Sequence, residues 1–175
     1  MQTITLSDLQ LINSLSTRTY NGNKLLSNAT QVEYDQLKAI KNKLRGIAEY
    51  FTNKYNNDYG PFETSISSGN PIAIGGTRFN RVWSGLFKGN INKQYAAQIS
   101  FVMNPNETCL DVGFYFGRAS GHNLSAQQRT VLENTLNNLG MMLSDGIIND
   151  GNIRNRYDEL FEFGFSSYSN GNKVR

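Results

Sequence analysis

Four cations, Arg78, Arg81, Lys88 and Lys93, alternate with four aromatic residues, Phe79, Trp83, Phe87 and Tyr95, in GGTRFNRVWSGLFKGNINKQY, residues 75–95. No carboxylate interrupts them. Cations neutralise phosphates and flat rings stack on unpaired bases, so this pattern has the chemistry of a nucleic-acid contact. On a strand, Arg81, Trp83, Gly85 and Phe87 share one face. Trp83 is the sole tryptophan, and its type suits either a core position or a base-stacking one. Charged side chains are seldom buried without partners, which makes the four cations surface candidates.

Other chemistries fail on inventory. His122 is the only histidine and Cys109 the only cysteine, so a two-histidine metal site, a CxxC pair and an internal disulfide are all excluded. No HExxH, GxSxG or GxxxxGK[ST] motif occurs. Asp111 on an expected strand, with Glu107 in the turn before it, lacks the E-x-K that would complete a Mg²⁺ nuclease centre. We therefore expect no cofactor and no metal. The loop FGRASGHN, residues 116–123, pairs Arg118 with His122 and allows a general base, but brings no visible nucleophile or acidic partner.

The chain has 175 residues and a net charge of +3. One domain of this size buries roughly 70% of its unfolded surface, so it needs no staple. Residues 18–93 carry 11 Lys/Arg against 5 Asp/Glu, whereas residues 94–175 carry 6 against 8. A basic half of this kind favours an anionic partner. The first residues show no signal-peptide pattern and no long apolar run occurs, which leads to the expectation of a cytoplasmic protein with no membrane partner.

The elements that must position these residues follow from periodicity. Ser7 is expected to cap a short first helix. Thr30 and Glu33 have capping-box spacing ahead of a long helix, about 30–56, with Leu37, Ile40, Leu44, Ile47 and Phe51 on its apolar stripe. Its other face is expected to carry Lys38, Lys41, Lys43, Arg45 and Lys54. From residue 70 to 118 the period becomes two. Apolar residues alternate in YAAQISFVM (Tyr95, Ala97, Ile99, Phe101, Met103) and in CLDVGFYFGR (Leu110, Val112, Phe114, Phe116), which predicts two half-buried strands joined as a hairpin through NPNET. RVWSGLF supplies a third strand. Ser125 and Gln128 open another helix bearing Leu132, Leu136, Leu139 and Leu143. The segment RNRYDELFEFGFSSY reads first as helix and then as strand. The expected fold is α+β, an antiparallel sheet with at least two long helices packed against it, in one domain over residues 1–168 with a polar tail at 169–175.

Residues 55–120 resemble the N-terminal recognition domain of McrB-like, modification-dependent restriction systems. Trp83, Gly85, Leu86 and Phe87 match that family's W-x-A/G-aliphatic-aromatic strand, which is followed by a Tyr-rich strand like YAAQISFVM and one like LDVGFYFG. Position 82 is valine where the family has proline. The resemblance implies a DNA-binding module, not itself an enzyme, that extrudes a modified cytosine from a duplex into an aromatic pocket, fused or coupled to a motor or nuclease component. It makes Trp83 the stacking residue. By the same mechanism Tyr115 or Tyr95 forms a second wall, and Arg78, Arg81, Lys88, Lys93 and Arg118 serve as contacts to the DNA. Two other readings stay open: a small enzyme using Arg118 and His122, and a protein-interaction domain whose acidic segment NDGNIRNRYDELFEF meets a basic partner.

Overall fold

The computed structural model describes residues 2–16, 30–66, 82–89, 97–104, 108–115, 125–169 and 172–174. Its fold is α+β, with long helices and a four-stranded antiparallel sheet. The chain divides into two compact units, Met1–Ser120 and Gly121–Arg175.

The first unit begins with α1 (Leu6–Ser16). Its cap is Thr5, not Ser7. The Asp8 amide donates to Thr5 Oγ1 at 3.3 Å, while the Thr5 amide donates to Asp8 Oδ2 at 2.8 Å. Thr5 and Asp8 thus have the three-residue spacing of a capping box, and Asp8 is long enough to take the role usually filled by glutamate. Helix α2 (Gln31–Tyr59) starts on the expected box, with Thr30 and Glu33 bonded reciprocally. Its stripe of Leu37, Ile40, Leu44 and Ile47 is buried, with Ala48 added and Phe51 half-buried beside it. Each aliphatic side chain removed from water in this way contributes about 1.5–3 kcal/mol before entropy is counted.

Lys41 departs from the expected polar face, because it is buried. It follows Leu37 by four residues and precedes Leu44 by three, so helical geometry puts it on the apolar side. Burial, with the Arg45 charge adding to it, holds its pKa below the ordinary lysine value.

The sheet runs β1 (Phe62–Ile66), β2 (Val82–Lys88), β3 (Gln98–Asn104) and β4 (Cys109–Tyr115), in that spatial order, every neighbouring pair antiparallel. β2, β3 and β4 occupy the three expected segments; β1 is an additional strand. Register fixes two faces. One carries Phe62, Thr64, Val82, Ser84, Leu86, Phe101 and Met103 and meets α2, where Phe51 stacks on Phe101 at 5.5 Å between centroids. Ser84 Oγ donates to the Leu44 carbonyl at 2.6 Å within this seam, and α1 packs against both α2 and β3.

The half-buried pattern expected of β3 and β4 does not hold, and β2 is also buried on both sides. Ser84, Gly85, Leu86 and Phe87 on β2, and Ser100, Phe101, Val102 and Met103 on β3, are buried on both faces. In β4 the alternating apolar residues Val112 and Phe114 are exposed, as is Ile99 beside Phe114. The cause is the path of α2, which lies mainly over β1 and β2 and touches β3 only lightly, so that Leu110 alone of the β4 apolar residues joins the core.

In the second unit, α3 (Ala126–Asn149) begins at the expected Ser125/Gln128 box and packs against α4 (Gly151–Glu162). Of its four predicted leucines only Leu132 is buried. The ambiguous C-terminal segment is helical through Glu162 and then turns at Gly164, whose φ is +86°. The Gly164 amide donates to the Phe161 carbonyl and the Phe165 amide to the Leu160 carbonyl, the paired bonds of a Schellman ending that favours glycine at its left-handed position. Tyr168–Ser169 (β5) pairs with Asn172–Lys173 (β6), so part of the polar tail is a short hairpin.

Asp8 also ties α1 to α2. Its carboxylate accepts from Lys43 Nζ at 2.7 and 2.9 Å. Burial pushes the Asp8 pKa up, but the Lys43 hydrogen bond, the Thr5 amide and hydroxyl, and the Lys43 charge together bring it below the ordinary value of 3.8. A depressed carboxylate stabilises the folded state above its unfolded pKa and loses that contribution as pH falls through the lower, folded one. Asp8→Asn should therefore cost about 1 kcal/mol near neutrality in denaturant titrations. The gap between the two proteins should close as pH falls below 3.8.

Candidate nucleic-acid interface

Strand parity sorts the candidate residues. Trp83, Gly85 and Phe87 share the sheet face turned away from α2, as their spacing predicts. Through the ladder the same face holds Gln98, Ser100 and Val102 on β3 and Asp111, Gly113 and Tyr115 on β4. Trp83 and Tyr115 are thus brought to one surface from strands that are not neighbours. Both are half-buried and outside the hydrophobic core cluster.

A row of small residues crosses this far face. Ser65, Gly85, Ser100 and Gly113 lie opposite one another on the four strands in turn. Trp83, Val102 and Asp111 flank the row on one side, and Phe87, Gln98 and Tyr115 on the other. Two glycines of the row stand where a Cβ would clash. A Cβ on Gly113 would come within 2.8 Å of the Tyr115 ring, which therefore rests over Gly113. A Cβ on Gly85 would meet the Ile99 carbonyl oxygen at 2.6 Å and Ser100 Oγ at 3.2 Å. Asp111 accepts from Cys109 Sγ at 3.5 Å.

Lys88 is placed elsewhere. Its register partner is Phe62, so it lies on the helix-bearing face. Its ammonium donates to the carbonyls of Tyr59 and Gly60, the latter at 3.0 Å, and sits 5.2 Å from the centre of the Phe62 ring. A cation at the C-terminal end of a helix satisfies carbonyls that have no intrahelical partner. Lys88 thus closes α2, on the opposite side of the sheet from Trp83 and Tyr115. Arg78, Arg81, Lys93, Tyr95 and Arg118, together with His122, lie outside the described residues.

Sequence reasoning passed over Ser100 and the small-residue row. A serine within an alternating strand carries no chemical signature, and only the register across four strands shows what it stands beside. Among the described residues, no three histidine, cysteine or acidic side chains gather as metal ligands, and no helix is long and apolar enough to cross a membrane. Comparison of the chain with protein-family models, curated proteins and solved structures finds no match.

The function of Lys88 as a helix-end cation has a direct test. Lys88→Met should lower the unfolding free energy by about 1 kcal/mol in urea titrations, because two helix-end carbonyls lose a charged donor. The same substitution should leave any binding to the far face within about twofold of the parent's, well short of the effect of losing one direct hydrogen bond.

Proposed function

We propose that this chain is a DNA-recognition module that holds an unstacked, modified base against the far face of the sheet. One observation carries the reading: Trp83 and Tyr115 occupy the same face, on strands two apart, away from α2. With about 4.8 Å between strands and about 3.3 Å per residue, the Trp83 and Gly113 backbones are roughly 12 Å apart. The Tyr115 ring rests over Gly113. That span matches two successive ring-to-ring steps of about 4.5–7 Å each, the separation that a base stacked between indole and phenol requires once the buried row beneath them is uncovered. The basic half of the chain supports the same reading, with Arg78, Arg81 and Lys93 as the remaining phosphate contacts and Arg118 shortly after the end of β4 in sequence. Lys88 leaves that group because its ammonium closes α2.

The resemblance to McrB-like recognition domains agrees in chemistry. Under this proposal the module binds duplex DNA, senses a cytosine modification and works with a motor or nuclease component that performs NTP hydrolysis and cleavage. Its place is the cytoplasm, where foreign DNA is met.

The experiment is a pair of measurements on Trp83→Ala. The variant should unfold cooperatively near the parent's temperature, since Trp83 is outside the core cluster. It should lose on the order of 1–3 kcal/mol of affinity for a duplex carrying the preferred modified cytosine. Binding to the unmodified duplex should persist, with a log K against log salt slope of about −2.7 from three phosphate-contacting cations. Equal loss on both duplexes, or collapse of the fold, overturns the stacking role.

A further inference from the structure

Trp83, Ser100 and Tyr115 lie on a diagonal across the far face. Trp83 is opposite Val102, two residues from Ser100, and Ser100 is opposite Gly113, two residues from Tyr115. Each aromatic is thus the diagonal neighbour of Ser100, at about 7–8 Å, and the serine is the midpoint of the line. Ser100 is completely buried, and its Oγ has no hydrogen-bonding partner among the described residues. That hydroxyl is directed across the small-residue row, 3.2 Å from the point where a Cβ on Gly85 would stand.

A buried hydroxyl left unpaired costs about 1–3 kcal/mol, and folded proteins seldom keep one without a use. An alanine of nearly the same size would fill the position without that cost. On either side of Ser100 the row presents Gly85 and Gly113, which project no side chain of their own. The diagonal therefore combines two flat apolar groups with one polar atom between them, able to donate or accept. Such a set suits a planar ring with a hydrogen-bonding edge.

We infer that Ser100 reads the edge of the base held between Trp83 and Tyr115, its hydroxyl gaining in the complex a partner that the described residues do not supply. This rests on the proposed DNA reading and assigns the discriminating group within it. Because Ser100 is completely buried, the site must open to admit a base, and Tyr115, whose ring lies over Gly113 beside the serine, is among the groups that must shift.

The test uses the full chain and two duplexes of one sequence, one with modified cytosine at a central position and one with an abasic site there. Ser100→Ala should keep or raise the parent's melting temperature, because it removes an unsatisfied group. It should bind the base-bearing duplex roughly three- to tenfold more weakly than the parent. On the abasic duplex the two proteins should bind alike, because the base edge is missing. Trp83→Ala, measured beside it, separates the two claims. Weakening by Trp83→Ala with no effect of Ser100→Ala overturns the serine's role and leaves the stacking surface standing. No effect of either variant removes both, and an equal loss for Ser100→Ala on the two duplexes also overturns base reading by Ser100.

Discussion

The packing of one helix stripe on one face of the sheet decides the rest of the first unit. Leu37, Ile40, Leu44 and Ile47 on α2 are buried with Val82, Leu86, Phe101 and Met103, and the Ser84–Leu44 hydrogen bond fixes the helix in place along β2. Side chains in a strand alternate, so committing Val82 and Leu86 to the helix commits Trp83 and Phe87 to the opposite face. The ladder carries that parity to β3 and β4. A slip of one residue would exchange the two sets and bury the apolar set away from α2. The surface proposed to meet DNA is in this sense the complement of the core, and the same apolar contacts specify both.

Much of this was legible from local rules. Thr30 with Glu33 and Ser125 with Gln128 announce their helices because a capping box is a short-range device whose spacing is visible in the chain. The hairpin partners follow from alternation on either side of NPNET, and parity alone puts Trp83 with Gly85 and Phe87. What escaped depends on distance in space. Lys41 looks like one more surface lysine until the width of the apolar stripe is known, and Val112 and Phe114 look like core residues until the path of α2 shows that β4 is left at its edge. β1 is too short and mixed in composition, FETSI, to declare itself. The row Ser65–Gly85–Ser100–Gly113 exists only after four strands are put in register.

Lys88 illustrates a related limit on reading charge. In the sequence it is one of four equivalent cations, alternating with aromatics. In the fold its ammonium is bonded to the carbonyls of Tyr59 and Gly60, on the opposite side of the sheet from Trp83. A lysine serves as well at a helix terminus as at a phosphate, and composition does not distinguish the two. Parity does, because position 88 has the opposite sign to positions 83, 85 and 87.

The Asp8 carboxylate, finally, takes part in two events of folding. An 11-residue helix such as α1 is marginal by itself in water. The carboxylate that closes its first turn is the same one that binds Lys43 on α2. Winding α1 and docking it thus share a single group, and Ile12 and Leu15 enter the core only when both have occurred. In native-state hydrogen exchange the two helices then belong to one cooperative unit, with the amides of α1 opening alongside those of the centre of α2 instead of fraying ahead of them.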